Sequence, residues 1–158
     1  MTYATSPEDL MSYHDMLSMS GLEFMQGILS GKYPAPPIGK TLGFELISVE
    51  DGRVVFQGTP EFDVLNPMGT VHGGWYGAIL DSALGCAVMT KVPQGSLYTT
   101  LEYKVNILKS IPMGMTVQAR AETEHVGRST GVAHGRLVGV EDGRTYATAS
   151  TTCILMTP

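Results

Sequence analysis

The sequence predicts a two-layer α+β domain, with an antiparallel sheet wrapped around one apolar helix. Three observations predict it. The stretch from Trp75 to about residue 90 is apolar nearly all round, the mark of a helix enclosed by other elements. The segments after Gly95 are dominated by runs that alternate in the strand period. Two Asp-Gly pairs, Asp51-Gly52 and Asp142-Gly143, sit between β-rich runs, so neighbouring strands turn back and pair antiparallel.

Each element has its own signal. Residues 6–31 read as helical. Ser6 followed by Pro7, Glu8 and Asp9 suits a helix start, Gly21 divides the segment into two helices, and Gly31 can end the second. The Pro-rich stretch from Lys32 to Lys40 reads as a connector without regular structure. Residues 41–60 form two strands about Asp51-Gly52. A loop from Pro60 to Thr70 leads into the apolar helix. In the run 96–108, Leu101, Tyr103, Val105 and Ile107 share one strand face; in 115–126, Val117, Ala119 and Ala121 oppose Gln118, Arg120 and Glu122. Runs at 129–140 and 144–156 flank Asp142-Gly143. The pentapeptide Val-Glu-Asp-Gly-Arg occurs at 49–53 and again at 140–144, read as one hairpin chemistry used twice. Two regions follow: an N-terminal helical segment with its connector, 1–36, and the sheet-and-helix domain, 37–158.

Composition narrows the class. A chain of 158 residues that is 43% hydrophobic and 16% charged builds one globular core. Sparse charge hints at apolar surface covered by a partner subunit. A net charge of −5 with no basic run argues against nucleic acid. No apolar run is long enough to cross a bilayer, and no basic leader precedes Lys32, so the expectation is a cytoplasmic protein without membrane association. Cys86 and Cys153 are too few for a disulfide framework and read as core thiols. His14, His125 and His134 lack metal-ligand spacing, so no metal is assigned.

One carboxylate interrupts the apolar helix, Asp81, with Gly77 and Gly85 four residues to either side. Each glycine lowers helix propensity by roughly 1 kcal/mol relative to Ala, so the pair suggests room for another backbone or a ligand. A buried carboxylate needs partners. It is either a structural Asp bonded to backbone or to a strand Lys, or a nucleophile or general base in a cleft. Gly73 and Gly74 open the helix. Their N–H groups lack intrahelical acceptors and carry the positive end of the dipole, which suits an oxyanion or a carbonyl; otherwise they only permit a tight turn. Gly73 and Asp81 are eight residues apart, about 12 Å along one helix. Attack on a carbonyl requires approach within roughly 3.5 Å. If both groups act on one substrate, two antiparallel copies of the helix are required, and the site lies at a dimer interface.

Asn66, Gly69, the Val-His-Gly-Gly run at 71–74, Asp81, and the run from Thr100 to Asn106 together resemble the hotdog-fold acyl-CoA thioesterases of the phenylacetate-pathway (PaaI) type. The likeness covers about residues 40–156. It implies a curled sheet around a central helix, assembled as a homodimer or a dimer-of-dimers tetramer. It further implies hydrolysis of an acyl-CoA thioester, with coenzyme A as part of the substrate and no separate cofactor. By that resemblance Asp81 is the nucleophile or general base, and the Gly73 N–H polarises the thioester carbonyl. His72 shapes the oxyanion site, Asn66 orients substrate or water, and Thr100 assists the attacking water. Alternation along the strand also favours Thr100 over Thr99, placing Thr100 with the polar set. Gly74 and Trp75 are expected on the substrate side. Where the family often carries Phe-Leu-Arg-Pro, this chain has Ile107-Leu108-Lys109-Ser110, a departure on the CoA side.

An acidic protein that takes coenzyme A needs local cations. Arg128 and Ser129, in a Gly-Arg-Ser turn, are the expected phosphate contact, the alternative being an ordinary exposed hairpin Arg. Ser82 lacks a nucleophile elbow, and no glycine pattern follows a strand as a dinucleotide loop would. Trp75 and Tyr76 either line an aromatic pocket or belong to the core. Two other functions fit the same residues: a protein that binds acyl-CoA without turnover, and a hotdog dehydratase or hydratase.

Overall fold

The structure is a computed structural model that describes residues 1–158. Four helices precede or enter one six-stranded sheet: α1 (Tyr13–Leu17), α2 (Gly21–Leu29), α3 (Pro37–Leu42) and α4 (Gly73–Met89). The strands are β1 (Phe44–Glu50), β2 (Arg53–Gly58), β3 (Leu97–Ile107), β4 (Val117–Val126), β5 (Thr130–Gly139) and β6 (Thr145–Met156). All pairings are antiparallel, in the order β1-β2-β4-β5-β6-β3. Both edges, β1 and β3, are therefore free of a neighbour on one side.

α4 packs against β2, β3, β4, β5 and β6, so the sheet curls around it. Ile79, Leu80, Ala83, Leu84, Ala87 and Val88 are fully buried. Burying a Leu or Ile side chain contributes about 2 kcal/mol, so this helix is the largest single source of core stability. This arrangement is the hotdog fold.

Four local expectations change. The segment 37–42 is helical, not a connector: Pro37 occupies the first helical turn, where its missing N–H costs nothing, and Gly43 ends the helix in the left-handed region at φ 71°. Before Tyr13 only a 3₁₀ turn forms, Pro7–Asp9, and Ser20 rather than Gly21 makes the break by capping α2 together with Glu23. The two Val-Glu-Asp-Gly-Arg copies differ. Asp51-Gly52 is a two-residue turn, held to the end of α4 by the Lys91–Asp51 ion pair of 2.6 Å and by the Gly52 N–H donating to Thr90. The second copy forms a longer loop, because Asp142 turns inward to accept from the Arg144 N–H and the Tyr146 hydroxyl.

The fourth change lies in β3. The register slips between Thr100 and Glu102, so Leu101 is an extra residue. The bulge breaks simple alternation: Thr100 and Tyr103, an odd number of residues apart, both reach α4. Leu101 is instead 59% exposed.

Candidate active site

α4 presents Gly73, Gly77, Asp81 and Gly85 at four-residue spacing, which places them on one face. That face meets edge strand β3. A Cβ on Gly77 would lie 3.1 Å from the Tyr103 hydroxyl, and one on Gly85 would lie 2.7 Å from the Tyr98 hydroxyl. The glycines beside Asp81 therefore make room for two tyrosines of β3, not for another backbone or a ligand. Sequence reasoning missed both tyrosines; the glycines flanking Asp81 were their signal.

Between the tyrosines, the Thr100 hydroxyl donates to Asp81 Oδ1 at 3.2 Å. Asp81 is half-buried and takes part in none of the ion pairs of the chain. The structural reading with a strand Lys is thereby excluded within one chain. Burial raises the carboxyl's pKa above its ordinary value, and the Thr100 hydrogen bond partly offsets this. Thr100, not Thr99, is the threonine at the carboxylate: it shares the helix-facing side of β3 with Tyr98, and the bulge brings Tyr103 to that side as well.

Asp81 opens onto a cavity of about 640 Å³ lined by 26 residues, 19 of them hydrophobic. Thr100, Ser82, Cys86 and Tyr98 lie along the same wall. Ser82 donates to the Ala78 carbonyl at 2.8 Å, a bond within its own helix. Burial pushes the Cys86 thiol up to about 12, so it remains protonated.

The start of α4 is built by His72. Its Nδ1 accepts from the Gly74 N–H at 2.8 Å and caps the helix, so the other ring nitrogen carries the proton in the neutral ring. This occupies one of the two amides expected for an anion and leaves the other: the Gly73 N–H has no acceptor within the chain. Gly73 and His72 are exposed. Asn66 sits close by in sequence, its Oδ1 accepting from the Met68 and Thr70 N–H groups and its amide donating to the Thr70 hydroxyl. It holds the loop that precedes the helix.

Trp75, expected on the substrate side, does not line the cavity. It is 3% exposed, donates its indole N–H to the Leu42 carbonyl, and belongs to the core. Tyr76 is buried as well, accepting from the Ile111 N–H at 2.8 Å. Aromatic rings just inside a helix start suit a pocket and a core equally in sequence; here the end of α3 meets Trp75 and the loop after β3 meets Tyr76. Arg128 and Ser129 occupy the turn between β4 and β5. Arg128 is exposed and unpaired, and the Ser129 carbonyl accepts from Leu155. That turn lies two strands across from β3, roughly 10 Å, and does not line the cavity.

The comparisons agree with this geometry. A profile of the thioesterase superfamily matches residues 68–146, from the loop before α4 into β6. The chain is similar to a 1,4-dihydroxy-2-naphthoyl-CoA hydrolase of Listeria monocytogenes, 33% identical over 93 residues, 59% of this chain and 75% of that protein. It is also similar to the acyl-coenzyme A thioesterase PaaI of Escherichia coli, 29% identical over 100 residues, 63% of this chain and 69% of that one. The crystal structure of a phenylacetic acid degradation-related protein from Ralstonia eutropha superposes with a TM-score of 0.74 at 30% identity, covering 83% of this chain and 98% of its counterpart. A half-buried carboxylate without a cation, beside an apolar cavity on the central helix of a curled sheet and within a matching profile, is the frame of an enzyme, and the chain belongs to the thioesterase superfamily as a PaaI-type hotdog thioesterase.

Proposed function

We propose that the protein hydrolyses an acyl-CoA thioester to a free acid and coenzyme A, using Asp81 of one subunit and the Gly73 N–H of a second copy. The carrying observation is Asp81 itself, half-buried, with no cation and with the cavity open beside it. Two relatives named as CoA-ester hydrolases support the substrate class. The family match supports catalysis over binding alone.

In this reading two copies join along the free edges of β3, with their α4 helices antiparallel. An 11-residue edge strand carrying exposed Leu101, Tyr103 and Ile107 favours such pairing. The helix length of about 12 Å between Gly73 and Asp81 requires it. The pair is a homodimer, or half of a tetramer. Residues 37–158 form the catalytic unit, and residues 1–36 close the cavity.

Asp81 takes a proton from water as the water oxygen bonds to the thioester carbon. The carbonyl electrons move onto oxygen, facing the Gly73 N–H at the positive end of α4. Collapse breaks the C–S bond, and the thiolate leaves with the proton held by Asp81. In the covalent version the Asp81 oxygen attacks the carbon directly and the CoA thiolate is expelled as the C–S bond breaks; water then cleaves the mixed anhydride, releasing the free acid and restoring Asp81. Thr100 orients Asp81 and the water, His72 and Asn66 fix the helix start that presents Gly73, and Gly74 serves through its bond to His72. Arg128 and Ser129 meet the phosphates of the CoA tail, so Arg128→Ala raises KM and leaves kcat nearly unchanged. Two free cysteines, and no helix long and apolar enough to cross a membrane, suit a cytoplasmic enzyme.

The decisive assay is release of free thiol from acyl-CoA esters. Asp81→Asn is expected to lower kcat/KM by roughly 10³-fold while keeping fold and assembly. Full turnover in that variant would exclude both versions of the mechanism. Binding without thiol release by the unaltered protein would make it a carrier or sensor, and hydration of an enoyl ester instead would make it a hydratase.

A further inference from the structure

The cavity beside Asp81 carries information about the acyl group, and the inference from it rests on the thioesterase reading. It spans the open side of the curled sheet. Phe44 and Leu46 of edge strand β1 line one flank, and Leu97, Tyr98 and Thr100 of edge strand β3 line the other. The chain's first 36 residues close it, supplying nearly half of the lining, including Leu10, Met11, Met16, Phe24, Met25 and Ile28. This wall lies outside the stretch matched by the superfamily profile. It is nevertheless fastened to the fold. The Gly21 N–H donates to the Val92 carbonyl at 2.9 Å, and Met25 and Ile28 enter the main core.

We propose that residues 1–36 form an acyl-specificity wall, and that the preferred acyl group is an uncharged alkyl chain of about eight carbons or more. Three observations converge. At about 30 Å³ per water-sized group, a cavity of 640 Å³ holds on the order of 20 heavy atoms, far beyond an acetyl group. No Lys, Arg or His lines it, and its only carboxyls are Asp81 and Glu45. A terminal carboxylate on the acyl group would find no cation and two like charges. Six methionines line it, among them Met1, Met89 and Met156, alongside the rings of Tyr3, Tyr13, Phe24, Phe44, Phe56 and Tyr98. Methionine is unbranched and conformable, so these side chains let the wall follow a flexible chain between the rings.

The test is thiol release from butanoyl-, hexanoyl-, octanoyl- and decanoyl-CoA, with phenylacetyl- and adipoyl-CoA alongside. At about 0.8 kcal/mol per buried methylene, kcat/KM rises about fourfold per added carbon as far as octanoyl-CoA. Adipoyl-CoA falls on the order of 100-fold below hexanoyl-CoA, its uncharged counterpart. A flat length series, adipoyl-CoA equal to hexanoyl-CoA, or phenylacetyl-CoA preferred to octanoyl-CoA overturns the inference. Met16→Trp, which fills the wall, lowers the decanoyl-to-butanoyl ratio of kcat/KM about tenfold. Met16→Ala, should the Trp variant fold poorly, raises that ratio; a ratio unmoved in a folded variant removes residues 1–36 from selectivity. If no ester releases thiol, the thioesterase reading fails by itself. The wall is then decided by calorimetric binding of the same esters, where affinity climbs with chain length if the wall selects and stays level if it does not.

Discussion

At the scale of single residues, the proposed mechanism rests on Asp81 and Thr100. Burial raises the Asp81 pKa, and the Thr100 hydroxyl opposes that by stabilising the charged form. The proposed reaction needs the ionised carboxylate, so kcat/KM is expected to fall as pH drops through the raised value. Thr100→Val deletes the donor at nearly constant shape, so the pKa climbs further and the acidic limb of the pH–rate profile moves to higher pH. A limb that stays in place, or moves to lower pH, would separate Thr100 from Asp81. Stability has the opposite sign. The folded state holds the Asp81 proton more tightly than the unfolded chain, so stability falls as pH rises from the ordinary carboxylate range through the raised pKa. At neutral pH Asp81→Asn therefore melts higher than the unaltered protein, and the advantage shrinks in acid. His72 belongs to this scale too, since its ring caps Gly74 and leaves Gly73 as the free amide.

At the scale of elements, the pairing of α4 with β3 sets the site. The tyrosines of β3 fill the notches left by Gly77 and Gly85, and the bulge at Leu101 keeps both Thr100 and Tyr103 turned to the helix. The two notches respond differently to Ala. At Gly85 the new methyl would meet the Tyr98 hydroxyl at 2.7 Å, where that ring lies among Asp81, Cys86 and Cys153. Gly85→Ala is expected to destabilise by about 1–3 kcal/mol through overpacking. At Gly77 the contact is 3.1 Å with the Tyr103 hydroxyl, which a shift of a few tenths of an ångström at the far end of that side chain relieves. Gly77→Ala then recovers part of the roughly 1 kcal/mol of helix propensity and is close to neutral. Chemical denaturation of both variants checks the contrast; equal losses would mean that the tyrosines do not govern the fit.

The whole molecule decides whether the two halves of the site meet. Within one chain they sit on the same helix, too far apart to touch one carbonyl. Gly73→Pro removes the N–H at the first helical position, where proline is tolerated, and His72 at φ −63° and ψ 136° already has the conformation that precedes proline. This variant is expected to fold and to lose on the order of 100-fold in kcat. Mixing it with Asp81→Asn and allowing subunit exchange gives heterodimers with one intact site each, so about a quarter of full activity returns. If the mixture stays as inactive as its parents after exchange, the groups are not shared between subunits.

The order of helix and strands was legible in the sequence, because hydrophobic period and Asp-Gly turns are local properties. So was Asp81 as the residue to explain, since a charge inside an apolar helix is an anomaly that needs no coordinates. Three matters were decided only in three dimensions. The bulge at Leu101 depends on how β3 pairs with β6, which no single strand encodes. The identity of the groups filling the space around Asp81 depends on which strand docks on α4. The cavity wall built by residues 1–36 comes from a segment whose apolar residues do not by themselves say what they cover. Sequence fixes periodicity and chemistry residue by residue, whereas volume and burial arise from the meeting of segments far apart in the chain, and those set the raised pKa of Asp81 and the size of the cavity beside it.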